Sequence, residues 1–119
     1  MTTETAGGGV VRAGGGVVEI TWIANPFRGD RFEEAWAPVA ETALKYGASG
    51  YAFFRSKEDQ LKFTQLAFFE QKLDFERYWY SEEICEARAL SAGLFQVPVL
   101  PEWHAVVAAG SFAEAGAEA

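Results

Sequence analysis

The spacing of apolar residues changes period along this chain, and each change marks an element. From Val17 to Ala24 the chain alternates, with Val18, Ile20, Trp22 and Ala24 on one face and Val17, Glu19, Thr21 and Ile23 on the other. That is the period-two pattern of a half-buried strand, and Asn25-Pro26 ends it. From Asp30 the period lengthens: Phe32, Trp36, Val39, Ala40, Ala43 and Leu44 form one helical stripe running down to Gly47. Asp30 and Glu33 stand at capping-box spacing, with Asp in place of Ser or Thr, and Pro38 inside the helix is expected to kink it.

Gly50 to Ser56 reads as a second strand through Tyr51-Ala52-Phe53-Phe54-Arg55, and Lys57-Glu58-Asp59-Gln60 supplies the turn of a hairpin into a third strand near Leu61 to Glu70. Leu73 to Tyr80 reads as helical, with Phe75 and Trp79 four residues apart. Ser81 can cap a further helix, Glu82 to Leu90, whose first-turn glutamates complement the helix dipole and which Gly93 stops. Leu94 to Pro101 holds two prolines and predicts an extended connection into a fourth strand, Trp103 to Ala109. The order β-α-β-β-α-β is the ferredoxin-like α+β arrangement, an antiparallel four-stranded sheet with helices on one face. Its other face needs a cover, and a second copy of the chain, a homodimer through the sheet faces, is the simplest one.

Length sets a single domain, since the chain has 119 residues. Two Gly triplets, Gly7-Gly8-Gly9 and Gly14-Gly15-Gly16, lie in a stretch with little to bury, so residues 1–16 are expected to be a flexible tail. Residues 110–119, small and acidic, form a second tail, leaving 17–109 as the folded domain. With half its residues apolar and 15% aromatic, the chain can build a packed core. A net charge of -7 argues against nucleic acid as a partner and against an anionic membrane surface. No segment is apolar and long enough to span a bilayer, and no signal-like start is present, so a cytoplasmic setting is expected. Cys85 is the single cysteine, and no Cys and His run has zinc-ligand spacing, so neither a disulfide nor a metal nor another cofactor is implied. Glu82, Glu83 and Glu86 spread around their helix rather than forming a metal cluster, and Arg28-Gly29-Asp30 is read as a chance match to an adhesion tripeptide.

The hairpin Tyr51 to Glu58 and the run Phe63 to Glu83, with Phe69-Glu70-Gln71-Lys72-Leu73-Asp74-Phe75-Glu76-Arg77-Tyr78-Trp79 at its centre, resemble the antibiotic-biosynthesis-monooxygenase group of dimeric α-β barrel proteins. The resemblance covers most of the domain. It implies a pocket between sheet and helices and a cofactor-independent monooxygenase-like activity on a small aromatic or polyketide-like molecule. The competing reading is a non-catalytic, ligand-binding or structural homodimer. Oxygenase-type members carry Asn-x-x-x-Trp where this chain has Gln65 and Phe69, so an amide one methylene longer is kept and the indole donor is lost. Haem-degrading members need a histidine on the second helix, whereas His104, the only one here, lies on strand four.

The candidate catalytic residues are therefore Gln65, Arg88 and His104. Gln65 and Arg88 could polarise or hold a phenolate, or Arg88 could instead pair with Glu82 or Glu83. His104 could serve as the base of an oxygen-independent isomerase or cyclase, or be a locally bonded strand residue at the subunit interface. Trp22, Tyr51, Phe69, Phe75, Tyr78 and Trp79 are the candidate substrate-binding residues, with core packing as the alternative for the aromatics. Cys85, with no basic sequence neighbour, is expected to be buried and inert.

Overall fold

The computed structural model describes residues 11–110. Its elements are β1 (Gly16–Ile23), α1 (Gly29–Glu41), a 3₁₀ segment (Thr42–Tyr46), β2 (Gly50–Arg55), β3 (Lys62–Phe69), α2 (Lys72–Trp79), α3 (Glu82–Leu90) and β4 (Glu102–Ala105). The four strands form one sheet in the order β2-β3-β1-β4, every neighbouring pair antiparallel. This is the expected ferredoxin-like α+β fold.

Alternation along the strands separates two faces. Val18, Ile20 and Trp22 of β1 and Phe63, Gln65, Ala67 and Phe69 of β3 point to the helices and are buried. Against them pack Phe32, Trp36, Ala40 and Ala43 from α1 and the 3₁₀ segment, then Phe75, Tyr78 and Trp79 of α2 and Ile84 of α3. The core is mostly aromatic, with Trp22 at its centre: its ring lies 4.6 Å from Trp36, 5.3 Å from Phe32 and 5.0 Å from Phe95, centroid to centroid. Rings of this size bury large apolar areas and gain further from tilted and edge contacts.

Local chemistry explains the ends of the elements. Ser81 caps α3, its Oγ accepting from the Ile84 N–H at 3.2 Å. The β2–β3 turn is held by Ser56 Oγ, which accepts from the Glu58 and Asp59 amides, and by Asp59 Oδ1, which accepts from Leu61 N–H. The capping box expected at Asp30 and Glu33 does not form. The helix begins at Gly29 without a side-chain cap, because both carboxylates are drawn to Arg55 Nη1, each at 2.9 Å. Gly29 is buried against that guanidinium, which gives Arg28-Gly29-Asp30 a structural reason. Helix α1 runs through Pro38 to Glu41, then tightens into the 3₁₀ segment, which Gly47 closes at φ 101°.

The expected fourth strand is shortened from 103–109 to Glu102–Ala105. Its partner runs out: Ala105 faces Gly16, the first residue of β1, and beyond it only Val106 is held, accepting from Gly14 N–H at 2.9 Å and donating to Gly15 C=O at 2.8 Å. Of the two expected tails, residues 1–10 and 111–119 lie outside the described residues, while Gly16 belongs to β1. No helix among the described residues is long and apolar enough to cross a membrane.

Gly16 also has a packing role. A Cβ built there would overlap the six-membered ring of Trp103, which lies across the strand. We expect Gly16→Ala to lower unfolding free energy by about 1–3 kcal/mol in a denaturant titration, the usual penalty of overpacking. A loss under about 0.5 kcal/mol, the range of neutral substitutions, would mean that the indole swings aside freely.

Candidate functional site

Two regions hold the polar groups of interest, one between sheet and helices and one outside that layer between α3 and the segment after it, and a floor of aromatic rings separates them. In the inner one, Gln65 is fully buried and its Oε1 accepts from two indoles, Trp36 Nε1 at 2.9 Å and Trp22 Nε1 at 3.1 Å. Its Nε2 donates to the Tyr78 hydroxyl at 3.0 Å, and Tyr78 in turn donates to Val39 C=O at 3.2 Å. A side-chain amide has both an acceptor and donors, so this one residue can satisfy two indoles and a phenol at once. Burial pushes the Tyr78 pKa up to about 12, against the opposing hydrogen bond from Gln65. The phenol is therefore neutral at physiological pH.

The outer region is an open groove of about 710 Å³ between α3 and the segment that follows it, residues 93–99. That segment is sewn to the end of β1: Phe95 bridges Ala24, Gln96 N–H donates to Ile23 C=O at 2.8 Å, and Asn25 Nδ2 donates to Gly93 C=O at 2.7 Å. Trp79 and Phe95, both buried, line the groove and pack against Trp22. Ala89, Ala92, Val97 and Val99 supply further apolar walls. Arg88 is the charged group there. Its guanidinium carbon lies 3.9 Å from the Trp79 ring centroid and Nη2 lies 3.3 Å from Cys85 Sγ. No carboxylate among the described residues lies within ion-pair distance of it: Glu83 instead takes Lys45 Nζ and the Tyr46 hydroxyl, each at 3.0 Å.

The expected site residues are thus divided. Trp79 and Arg88 meet at the groove, as a ligand site requires. Gln65, Trp22 and Tyr78 belong to the sealed network, where partners already occupy their hydrogen-bonding groups. Phe69 packs on Phe75 and Tyr78, and Phe75 on Trp79 and Trp103, so both are core residues. Tyr51 points to the helix side, opposite Ala67, and is exposed on the outer strand β2. His104 is opposite Val17 on the far face of the sheet, so it cannot act on a molecule in the groove. It also has acidic neighbours, Glu102 two residues before it and Glu19 brought in by the register, with Nε2 at 3.1 Å from Glu19 Oε1 and 3.8 Å from Glu102 Oε1. Cys85 is exposed rather than buried and lines the groove. The groove residues that sequence reading missed are small or irregular: Ala89, Ala92, Phe95, Val97 and Val99. Their signal was the run of small residues on the last turn of α3, facing the Val97-Pro98-Val99 segment.

No protein-family model and no curated protein matches the chain. Solved structures do, through their fold. The chain is similar to PA3566 from Pseudomonas aeruginosa at a TM-score of 0.70 and 15% identity, over 82% of this chain and 99% of that one. It is similar to an antibiotic biosynthesis monooxygenase at a TM-score of 0.68 and 12% identity, over 77% of this chain and 98% of that one. It is also similar to a variant of SnoaB, a cofactor-independent oxygenase from Streptomyces nogalater, at a TM-score of 0.64 and 13% identity, over 84% and 98%. The fold is that of antibiotic-biosynthesis-monooxygenase-like proteins, as the resemblance implied.

The inner network generates two expectations. Gln65→Leu strands two indole donors, so it should lower stability by roughly 2–6 kcal/mol in denaturant unfolding, counting 1–3 kcal/mol for each unsatisfied group. A loss below about 1 kcal/mol would show that the indoles find other partners. The raised Tyr78 pKa gives a stability present below the unfolded tyrosine value near 10 and lost as pH rises towards 12. We expect unfolding free energy to fall by roughly 2–3 kcal/mol more in the wild type than in Tyr78→Phe over that window, from 1.36 kcal/mol per pKa unit. Parallel pH profiles would refute this assignment.

Proposed function

We propose that the groove binds a small, planar, mainly apolar molecule carrying an anionic oxygen, and that the protein is a cofactor-independent oxygenase acting on it. The observation that carries this reading is Arg88: a part-buried guanidinium stacked on Trp79 at an apolar groove, with no carboxylate partner among the described residues. A guanidinium fork so placed suits a phenolate or carboxylate, while Trp79, Phe95 and the alanine and valine walls suit an aromatic body. In a reaction of this type the substrate anion supplies the electrons itself. A CH₂ group and O₂ become C=O and water, so the protein's task is to hold the anion and limit water around it. Gln65 has no place in that step, since it is sealed beneath Trp22 and Trp36.

The second reading, binding without turnover, draws on the same sealed network: among the described residues that line the groove, only Arg88, Cys85 and the Trp79 indole carry a side-chain hydrogen-bonding group. Either reading is compatible with a homodimer. The open sheet face carries Val17, Ala52, Phe54, Leu66 and Phe68, of which Phe54 is 48% exposed, and a second copy of the chain would cover them.

Calorimetric titration with 1-naphthoate and 1-naphthol, together with oxygen-electrode assays on hydroxylated anthrones, tests the proposal. We expect binding that Arg88→Ala weakens by about 10- to 100-fold, the worth of a hydrogen bond to a charged group, with Arg88→Lys intermediate. Oxygen uptake should fall in the same order. Absence of binding, or binding indifferent to Arg88→Ala, would overturn the site. Binding without oxygen uptake would overturn the oxygenase and leave the second reading.

A further inference from the structure

On the face of the sheet away from the groove, strand pairing brings Glu19 of β1 to two donors of β4 that lie far from it in the sequence. Glu102 and His104 are two residues apart on β4, so both side chains leave the same face, and Glu19 of β1 stands directly opposite Glu102 in the register. One ligand atom from each of Glu19, Glu102 and His104 lies within 4.8 Å of the other two. His104 Nε2 is 3.1 Å from Glu19 Oε1 and 3.8 Å from Glu102 Oε1. These separations are close to the edge of a ligand tetrahedron, about 3.3–3.4 Å for bonds of about 2.0–2.1 Å.

Charge makes the same point. Like charges placed directly across a ladder destabilise it, and here two carboxylates face one another. Among the described residues no Lys or Arg lies within ion-pair distance of either, so the His104 imidazole is their only basic partner. In the single chain the side chains of His104 and Glu19 are about four-tenths exposed and that of Glu102 is 72% exposed, so an ion can reach the cluster, and a second copy of the chain on this face would close over it.

We propose that Glu19, Glu102 and His104 form a site for a divalent first-row transition metal, with zinc as its best-suited ion. One imidazole nitrogen and two carboxylate oxygens match zinc better than the harder magnesium, which prefers an all-oxygen shell. Three protein ligands leave a fourth position for water or a group from another molecule. The site lies across the sheet from Arg88 and the groove, so it stands whether or not the groove binds a substrate. Its role is to tie β4, held on one side only, to β1 by a second means besides the short ladder.

The test is calorimetric titration of the tag-free full chain with zinc chloride, with magnesium chloride in parallel, and proton NMR of the one histidine. We expect one zinc per chain, little uptake of magnesium, a raised melting temperature with zinc, and shifted imidazole resonances. Glu102→Gln and His104→Ala should each weaken zinc binding by at least about tenfold, and metal-free melting should stay near that of the wild type in Glu102→Gln, which relieves the facing charges. Failure of the wild type to bind zinc would overturn the proposal. So would zinc uptake that leaves the histidine resonances unmoved, or that survives undiminished in both variants, since the metal would then sit elsewhere. If His104→Ala does not fold, Glu102→Gln and the histidine spectrum decide the matter.

Discussion

The side-chain amide of Gln65 is the contact on which the helix layer depends. Two indoles, from β1 and α1, end on its oxygen, and its nitrogen reaches the α2 phenol, which itself reaches back to α1. An aromatic core built from tryptophan and tyrosine carries polar atoms into a dry interior, where each must find a partner. One amide at the centre of the sheet meets that demand for three rings at once. It also fixes the rings' orientation, since an indole N–H has one direction in which to donate. The tilted contacts of Trp22 with Phe32 and Trp36 and its edge-to-face contact with Phe95 follow from that orientation.

The fold was legible in the sequence because its elements follow local rules. Alternation gave both faces of β1, the stripe from Phe32 to Ala43 gave α1, and Ser81 gave the start of α3. The errors arose where a distant residue outweighed a local preference. Asp30 and Glu33 have the spacing of a cap, yet Arg55, more than 20 residues on, offers a full charge and takes them both. The fourth strand stops early because its length is set by β1, whose pairing ends at Gly16, and not by its own β-forming residues.

The candidate site was half legible for a similar reason. Spacing placed Trp79 and Arg88 one helix apart, and their stacking across α2 and α3 brings them to one groove. Spacing could not tell a sealed polar group from an exposed one. Gln65 and Tyr78 have the chemistry of ligand-binding residues, and only their mutual contacts reveal that this chemistry is already used. His104 was legible as a lone histidine, but Glu19 reaches it only through a strand register that joins residue 19 to residue 102.

The separation of groove and network bears on how such a protein can diversify. Gln65, Trp22, Trp36 and Tyr78 are coupled, so their substitutions are non-additive and a change at one position is disfavoured unless others change with it. Ala89, Ala92, Val97 and Val99 touch no member of that set through a hydrogen bond, and they stand on the last turn of a helix, on the turn after it and on an irregular segment. Lineages could exchange these wall residues one at a time and so alter the size and shape of what is accepted, while the buried amide keeps the architecture constant.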